Sequence, residues 1–498
     1  MNDHDLLINR QQKALSVGII GGGIAGSTIA LQLAELGIQV ELFEEGRSLV
    51  NGPPICHLHA GGNLYREIDD EQCVTLLTQS IETLKIYPHS ANIRPTVIAV
   101  PLHDKSDPSA LLPRLILLQQ AYQQLVDDDS SNQVLGKPAH YFKCYDRDTL
   151  DALARKEPPT IPVQLDDWMI PVAKNLDLDE LKYPLVLVQE YGLSVFRLAA
   201  TANLALSHLP NCNLHTSSKV TQIHQIENAR WSITYHAAET NDTVQSKKQI
   251  VVDYLVNACG FQTGAIDDMA KLKRQRLVEF KAAYVTQWQD SQGVWPEIIF
   301  HGERGTPNGM AQLTPYPDGF FQLHGMTEEI TLFKEGLVAS TEESAQPVLN
   351  ETFTQKIKHG WQIDEVNCRS QRAISHMSRF VPRYKTATVG GQPLFGAQQI
   401  PGEDASLRAA DISFDGHRYA RTEIVKASSA LSAAHSIIAQ LYCDGLLHHH
   451  TEYSQARPSI TASLTRQDIE TKAIELAIER NYPPALAKTL SYPLVESA

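Results

Sequence analysis

One stretch near the N-terminus constrains this chain more than any other: VGIIGGGIAGSTIALQLAELGIQVELFEEG, residues 17–46. Residues 17–20 are an apolar run of strand length, and Gly21-Gly22-Gly23-Ile24-Ala25-Gly26 follows as G-x-G-x-x-G. Ile29, Leu33 and Leu36 then recur at helical spacing, and Gly37 ends the helix. Residues 40–43 form a second strand that delivers Glu44 at its end. Each part has a task in a β-α-β unit. Gly21 permits the tight turn, Gly23 lets backbone approach a pyrophosphate, and Gly26 lets helix and strand pack closely. Ile24 and Ala25 open the helix, whose free N–H groups and positive dipole end suit phosphates. Glu44 can accept hydrogen bonds from both ribose hydroxyls, and its charge disfavours a 2′-phosphate. A dinucleotide site in an α/β fold is the expectation.

The remainder of the 498 residues narrows the class. Length alone suggests roughly two to four domains. With 43 basic against 57 acidic residues the net charge is −14, which speaks against a nucleic-acid partner. Seven cysteines (Cys56, Cys73, Cys144, Cys212, Cys259, Cys368 and Cys443) are widely spaced without a C-x-x-C. That pattern argues for a reducing compartment, the cytoplasm, and against zinc, iron–sulfur or a redox disulfide. The first sixteen residues lack the apolar core of a secretory signal. Residues 17–36, broken by Ser27, Thr28, Gln32 and Glu35, make a poor membrane span. His448-His449-His450 reads as a surface loop, since three adjacent histidines cannot all face one metal, and no metal is expected. The basic run 271–276 reads as a solvated loop.

Helical spacing recurs over 71–87, 108–127, 146–155 and 193–209, with a strand at 185–188. Three strands are expected over 213–226, 229–238 and 249–258. Strand patterns dominate 276–333, punctuated by turns at Pro307-Asn308-Gly309 and Pro317-Asp318-Gly319. A long small-residue helix is expected over 422–443, before a mostly helical tail.

Several later segments, taken with the first motif, resemble the D-amino-acid oxidase type of the two-dinucleotide-fold flavoproteins. They are Glu45-Gly46-Arg47-Ser48, His57-Leu58-His59-Ala60-Gly61-Gly62-Asn63, Lys219-Val220-Thr221-Gln222-Ile223 and Val256-Asn257-Ala258-Cys259-Gly260. Late in the chain come residues 379–382, Gly391-Gln392-Pro393-Leu394-Phe395-Gly396, and 413–422 leading into 426–434. Gln392 stands where the family has an acid, and Cys259 where it has an alanine. The resemblance implies FAD as cofactor and a Rossmann-like FAD-binding domain assembled from 15–100, 185–268 and 378–445. It implies a mostly helical insertion at 101–184, an antiparallel substrate domain at 269–377 and a helical C-terminal appendix at 446–498. FAD contacts would come from Gly21, Gly23, Ile24, Ala25, Gly26, Glu44, Glu45, Gly46, Arg47, His57, His59, Gly61, Gly62, Val220, Ala258, Cys259, Gly260, Gly396, Gly416 and Tyr419.

The function so implied is oxidation of a C–N or C–O bond in a small polar substrate by hydride transfer to FAD, with reoxidation by oxygen, a quinone or a carrier. An alcohol would need a base, and His57 and His59 are the candidates; His324 could contact the substrate, and Arg418 could bind a substrate carboxylate. His57 or His59 could equally tether the flavin covalently. There is no second G-x-G-x-x-G, no Arg-x-Gly-Gly-Arg and no Gly-Asp dipeptide. A flavin monooxygenase or halogenase on a larger apolar substrate, a non-catalytic flavin-binding sensor and a nicotinamide dehydrogenase stand as alternatives. Electron acceptor and oligomeric state are left open by the sequence.

Overall fold

The structure is a computed structural model. It describes residues 15–52, 68–238, 245–410, 412–416, 418–447 and 459–490. Two sheets organise the chain. In the first, the wholly buried strand Ser16–Ile20 pairs in parallel with Gln39–Phe43 on one side and Tyr254–Asn257 on the other. Cys212–His215 extends one edge, while Tyr419–Thr422 and the antiparallel Ile412–Phe414 extend the other. Central parallel strands are apolar along their length because both faces are covered. The helix Ile24–Glu35 is buried at every position from Ala25 to Ala34, more than a one-face stripe predicts. It lies against the helices Val195–Ser207 and Ala430–Cys443 as well as against Gln39–Phe43 of the sheet, so no side of it meets water over those turns.

A three-stranded antiparallel sheet, Ser218–Gln225, Trp231–Ala238 and Gln245–Val252, packs beside the first sheet through Ile233, Val252 and Leu255. The three strands expected between 213 and 258 are thus five, split between two sheets where Thr216-Ser217 and Asp253 interrupt pairing.

The second large sheet has ten strands and departs from the expected boundaries. Its long strand Arg276–Gln287 pairs with Phe320–Gly325, Leu337–Ala339, Thr388–Val389 and Leu394–Pro401. Ala311–Pro315, Glu297–Phe300, Thr96–Pro101, Leu181–Val188 and Phe142–Tyr145 continue it. Glu297–Phe300 and Thr96–Pro101 run parallel, so the sheet is mixed. Residues assigned by sequence to the cofactor domain (96–100, 185–188, 388–389 and 394–401) and to a helical insertion (142–145) are therefore strands of this sheet. The sequence TVIAVP is a short apolar run, and periodicity alone cannot say which sheet such a run joins.

The C-terminal part is not an appendage. Ile469, Ala473, Leu476 and Ala477 of the helix Arg466–Glu479, with Leu486 and Ala487 beyond it, are buried in the same core as Ile29 and Leu198. Arg197, fully buried, holds the end of this segment. Its guanidinium donates to the carbonyls of His89, Ser90, Ala91, Ala487 and Lys488 and to the Asn92 amide oxygen. Burial draws its pKa down to about 10, so it remains a cation at neutral pH. Arg197→Met strands these carbonyls, and urea unfolding is expected to show a loss of about 2–4 kcal/mol. No helix among the described residues is long and apolar enough to cross a membrane.

Candidate functional site

The glycine turn shows why each small residue is needed. Gly21 has φ 102°, and a Cβ there would lie 2.4 Å from the Ala258 carbonyl oxygen. At Gly26 a Cβ would lie 1.9 Å from the Gly21 oxygen, so only glycine lets this helix approach the strand. Gly23 differs: nothing lies within 4 Å of where its Cβ would stand. It is the N-cap of Ile24–Glu35 and gives no side-chain cap, so the first helical N–H groups are not satisfied by a side chain at this position. Glu44 ends the second strand beside this turn. Its carboxylate accepts from the Gly22 N–H at 2.8 Å and the Gly46 N–H at 2.7 Å.

These residues form one wall of a cavity of about 580 Å3. Gly21, Gly23, Ile24, Ala25, Glu44, Glu45, Val220, Ala258, Cys259, Gly260 and Gly396 all line it. Gly26 packs behind the turn, Gly46 serves Glu44 through its N–H, and Arg47 is exposed outside the lining. His57, His59, Gly61 and Gly62 lie outside the described residues, as do Cys56 and His448–His450.

Of the segment expected beside the flavin, 413–422 leading into 426–434, the later part lines the cavity. Tyr419–Thr422 is a buried strand parallel to Tyr254–Asn257, and the cavity lies at the carboxyl end of that strand pair. Thr422, Ile424, Val425, Lys426 and Ala427 therefore line it, whereas Gly416, Arg418 and Tyr419 do not. The Arg418 carbonyl accepts from Leu255 N–H and from the Trp231 indole at 3.1 Å, joining those strands. The helix expected from 422 starts at Ala430, after a 3-10 turn at Ala427–Ser429. Gln399 donates to the Thr422 carbonyl at 2.9 Å, and Ser429 to the Gln79 amide oxygen at 2.8 Å, fixing the lining segment from both sides. Tyr482, far down the chain, lines the cavity as well.

Beneath the cavity lies a buried ionic cluster that sequence reasoning missed. Ala265, Ile266 and Met269 of the helix Thr263–Met269 line the cavity, while Asp267 turns away from it. Asp267 accepts from Arg276, from Arg421 Nε at 2.9 Å and from the Tyr419 hydroxyl at 2.7 Å. Arg421 also meets Asp415 at 2.9 Å. Burial, reinforced by Asp267, lifts the Tyr419 hydroxyl far above its ordinary pKa and keeps it a donor. The basic run 271–276 is accordingly not all solvated: Arg276 is buried on Asp267, and Arg274 grips Glu423 through two hydrogen bonds. Lys271 and Lys273 of the run are exposed, as expected.

Cys259 is a neutral wall group. Its thiol donates to the Ile20 carbonyl at 3.2 Å, and burial pushes its pKa far upward. A thiol so placed is a poor nucleophile. Cys259→Ala is expected to leave stability within about 1 kcal/mol of the parent by chemical denaturation.

Opposite the glycine turn, Gly396 and Gln398 bring the ten-stranded sheet to the cavity. Directly paired residues share a face, and residues two apart on a strand do too. Gly396 opposes Lys281, and Gln398 opposes Glu279. Val285, on the same face of that strand, opposes Gln322, which in turn opposes Thr314. Two residues away on each strand, Gln312 opposes His324. Ile299 faces Gln312, and Glu297 faces Thr96. One sheet face thus carries a polar band, and His324 belongs to it without lining the cavity. Within the band the Arg94 guanidinium meets Glu297 at 2.6 Å, with both side chains buried. Lys281 meets Glu279 at 2.8 Å, and burial pulls its ammonium pKa down despite that carboxylate.

Comparison with known proteins agrees with this geometry. A family model described as an NAD(P)-binding Rossmann-like domain matches residues 19–50. No curated protein matches the chain in sequence. Among solved structures the chain is similar to glycerol-3-phosphate dehydrogenase from Bacillus halodurans complexed with FAD. That likeness has TM-score 0.54 and 13% identity, covering 96% of this chain and 75% of that one. L-amino acid deaminase from Proteus vulgaris is similar at TM-score 0.53 and 13% identity, over 90% and 97% of the two chains. Glycine oxidase from Geobacillus kaustophilus is similar at TM-score 0.50 and 12% identity, over 90% and 99%. At such identities the likeness is one of fold.

Proposed function

We propose that this chain is an FAD-dependent oxidoreductase that oxidises a C–N or C–O bond of a small polar substrate. The observation that carries the reading is the cavity between the glycine turn and the second sheet, with Gly23 open to it and Glu44 at its edge. A Rossmann turn alone suits any dinucleotide. A second wall built from another sheet suits one whose far end must meet a substrate. The solved structures of this fold include one complexed with FAD, and dehydrogenase, oxidase and deaminase appear among their names, which supports the same reading.

In this reading the Gly23 region and the helix behind it hold the pyrophosphate, and Glu44 takes a ribose hydroxyl on its less occupied oxygen Oε2. Ala258, Cys259 and Gly260 cover the nucleotide, and residues 422–427 flank its far end. When bound, FAD supplies a two-electron acceptor for the substrate's hydride. The polar band of the ten-stranded sheet orients the substrate: Gln312, Thr314 and Gln322 offer neutral hydrogen-bonding groups, while Arg94 and Lys281 are each matched by a carboxylate. His324, paired with Gln312 in that band, is its candidate proton acceptor. A cytoplasmic location belongs to the same proposal and rests on the sequence pattern of widely spaced cysteines without a C-x-x-C.

The test is anaerobic mixing of the purified protein with small amines, amino acids and hydroxy acids while flavin absorbance is followed. Bleaching by a member of these sets is expected. Flavin that is reduced only by NADPH would replace this reading with the monooxygenase one.

A further inference from the structure

The turn after the helix Arg466–Glu479 touches both walls of the cavity. On the Rossmann side, Arg480 Nη1 donates to the Val50 carbonyl at 3.0 Å. Its Nη2 donates to the Leu49 carbonyl at 3.0 Å and to Ser48 Oγ at 2.9 Å. That loop leads into Asn51 and Gly52 of the lining, and Asn51 donates to Glu44 at 3.2 Å. Val50 holds φ at 55°, a left-handed conformation that a β-branched residue adopts only under constraint. The constraint is visible: its N–H is bound to the Gly22 carbonyl at 2.8 Å and its carbonyl to Arg480. On the other side, Gln392 donates to the Arg480 carbonyl at 2.6 Å, and the Tyr482 hydroxyl donates to the Pro393 carbonyl at 2.9 Å. Both acceptor and donor lie just before the cavity-lining strand Leu394–Pro401. The Tyr482 side chain is itself part of the lining and packs on Phe196.

We propose that residues 480–483 form a clamp that sets cofactor affinity, with Arg480 as a positioning residue for the loop 48–52 and Tyr482 as a wall of the cavity. The proposal rests on the FAD reading above. A ligand that needs both walls in place is bound more tightly when one segment fixes their separation, and binding then stabilises that segment in return. Arg480→Met keeps most of the side-chain volume and removes the three hydrogen bonds. It is expected to raise the Kd for FAD about tenfold or more while the apoprotein stays folded by circular dichroism. Tyr482→Ala is expected to act in the same direction. Glu475→Ala, on the exposed side of the same helix, leaves the Kd unchanged. Hydrogen exchange of the parent chain with and without FAD needs no variant: the amides of 476–483 are expected to exchange more slowly when FAD is present.

Unchanged FAD affinity in both clamp variants, in a parent that binds FAD, would overturn the clamp alone. So would unaltered exchange across 476–483. A parent that binds no FAD would remove the cofactor reading and the clamp with it.

Discussion

Asp267→Ala is expected to cost about 3–5 kcal/mol of stability, because it leaves two guanidinium groups buried without their shared carboxylate. Arg276 opens the long strand of the second sheet, and Arg421 lies in an outer parallel strand of the first. Asp267, from a short helix under the cavity, is the point at which both are held. Asp415 still reaches Arg421 in the variant, but among the described residues no other carboxylate hydrogen-bonds to Arg276. Burial already pulls the Arg276 pKa down. Without Asp267 the arginine either remains charged in a poorly solvated site or drags water inward, and each route is unfavourable. Urea unfolding of the variant measures the loss. The double variant Asp267→Ala with Arg276→Met is expected to lose less than the sum of the two single changes, since it removes the orphaned charge. Additive losses would mean that the three groups do not act as one unit.

The second large effect separates two glycines three residues apart. Gly26→Ala places a methyl group 1.9 Å from the Gly21 carbonyl oxygen, which is backbone and cannot step aside. The helix must move away from the strand, and a loss of about 3 kcal/mol or more in apoprotein stability is expected. Gly23→Ala has the opposite profile. Its φ of −64° is comfortable for alanine, and nothing in the protein lies within 4 Å of the added carbon. The apoprotein is expected to unfold at the parent's denaturant concentration, while FAD affinity falls by about tenfold or more because the methyl group occupies phosphate space. Equal FAD affinity in Gly23→Ala would place the pyrophosphate elsewhere.

The contrast between those glycines also marks what was legible in the sequence. A G-x-G-x-x-G turn is a local demand: the residues that must be small, the strand before them and the helix after them are all within 30 positions. Reading them as a β-α-β unit therefore required nothing from the remote chain, and the strand Ser16–Ile20, the helix from Ile24 and the position of Glu44 follow that expectation. Within the segment 413–422 expected beside the flavin, Gly416 and Tyr419 do not line the cavity, because the pattern there does not reveal which residues lie inside the parallel sheet. Once Tyr419–Thr422 is a buried parallel strand, the rule that ligands lie at carboxyl ends points past Thr422, and that signal could have been used. Arg197, Asp267 and Arg480 were illegible for a different reason. Each is a polar residue with partners in segments remote in sequence, as with Arg480 and Val50 or Asp267 and Arg421, and no local spacing encodes such a meeting. The same holds for TVIAVP at 96–101, whose apolar run fits a strand of either sheet.

The measurement that bears most directly on the central claim is the visible spectrum of the purified, full-length protein before and after acid precipitation. Bands near ~370 and ~450 nm that pass into the supernatant are expected, because the cofactor that carries the redox chemistry is then a non-covalent flavin. Flavin retained in the pellet would keep the cofactor and add a covalent link. A colourless protein that neither holds FAD nor takes it up on addition would contradict the account.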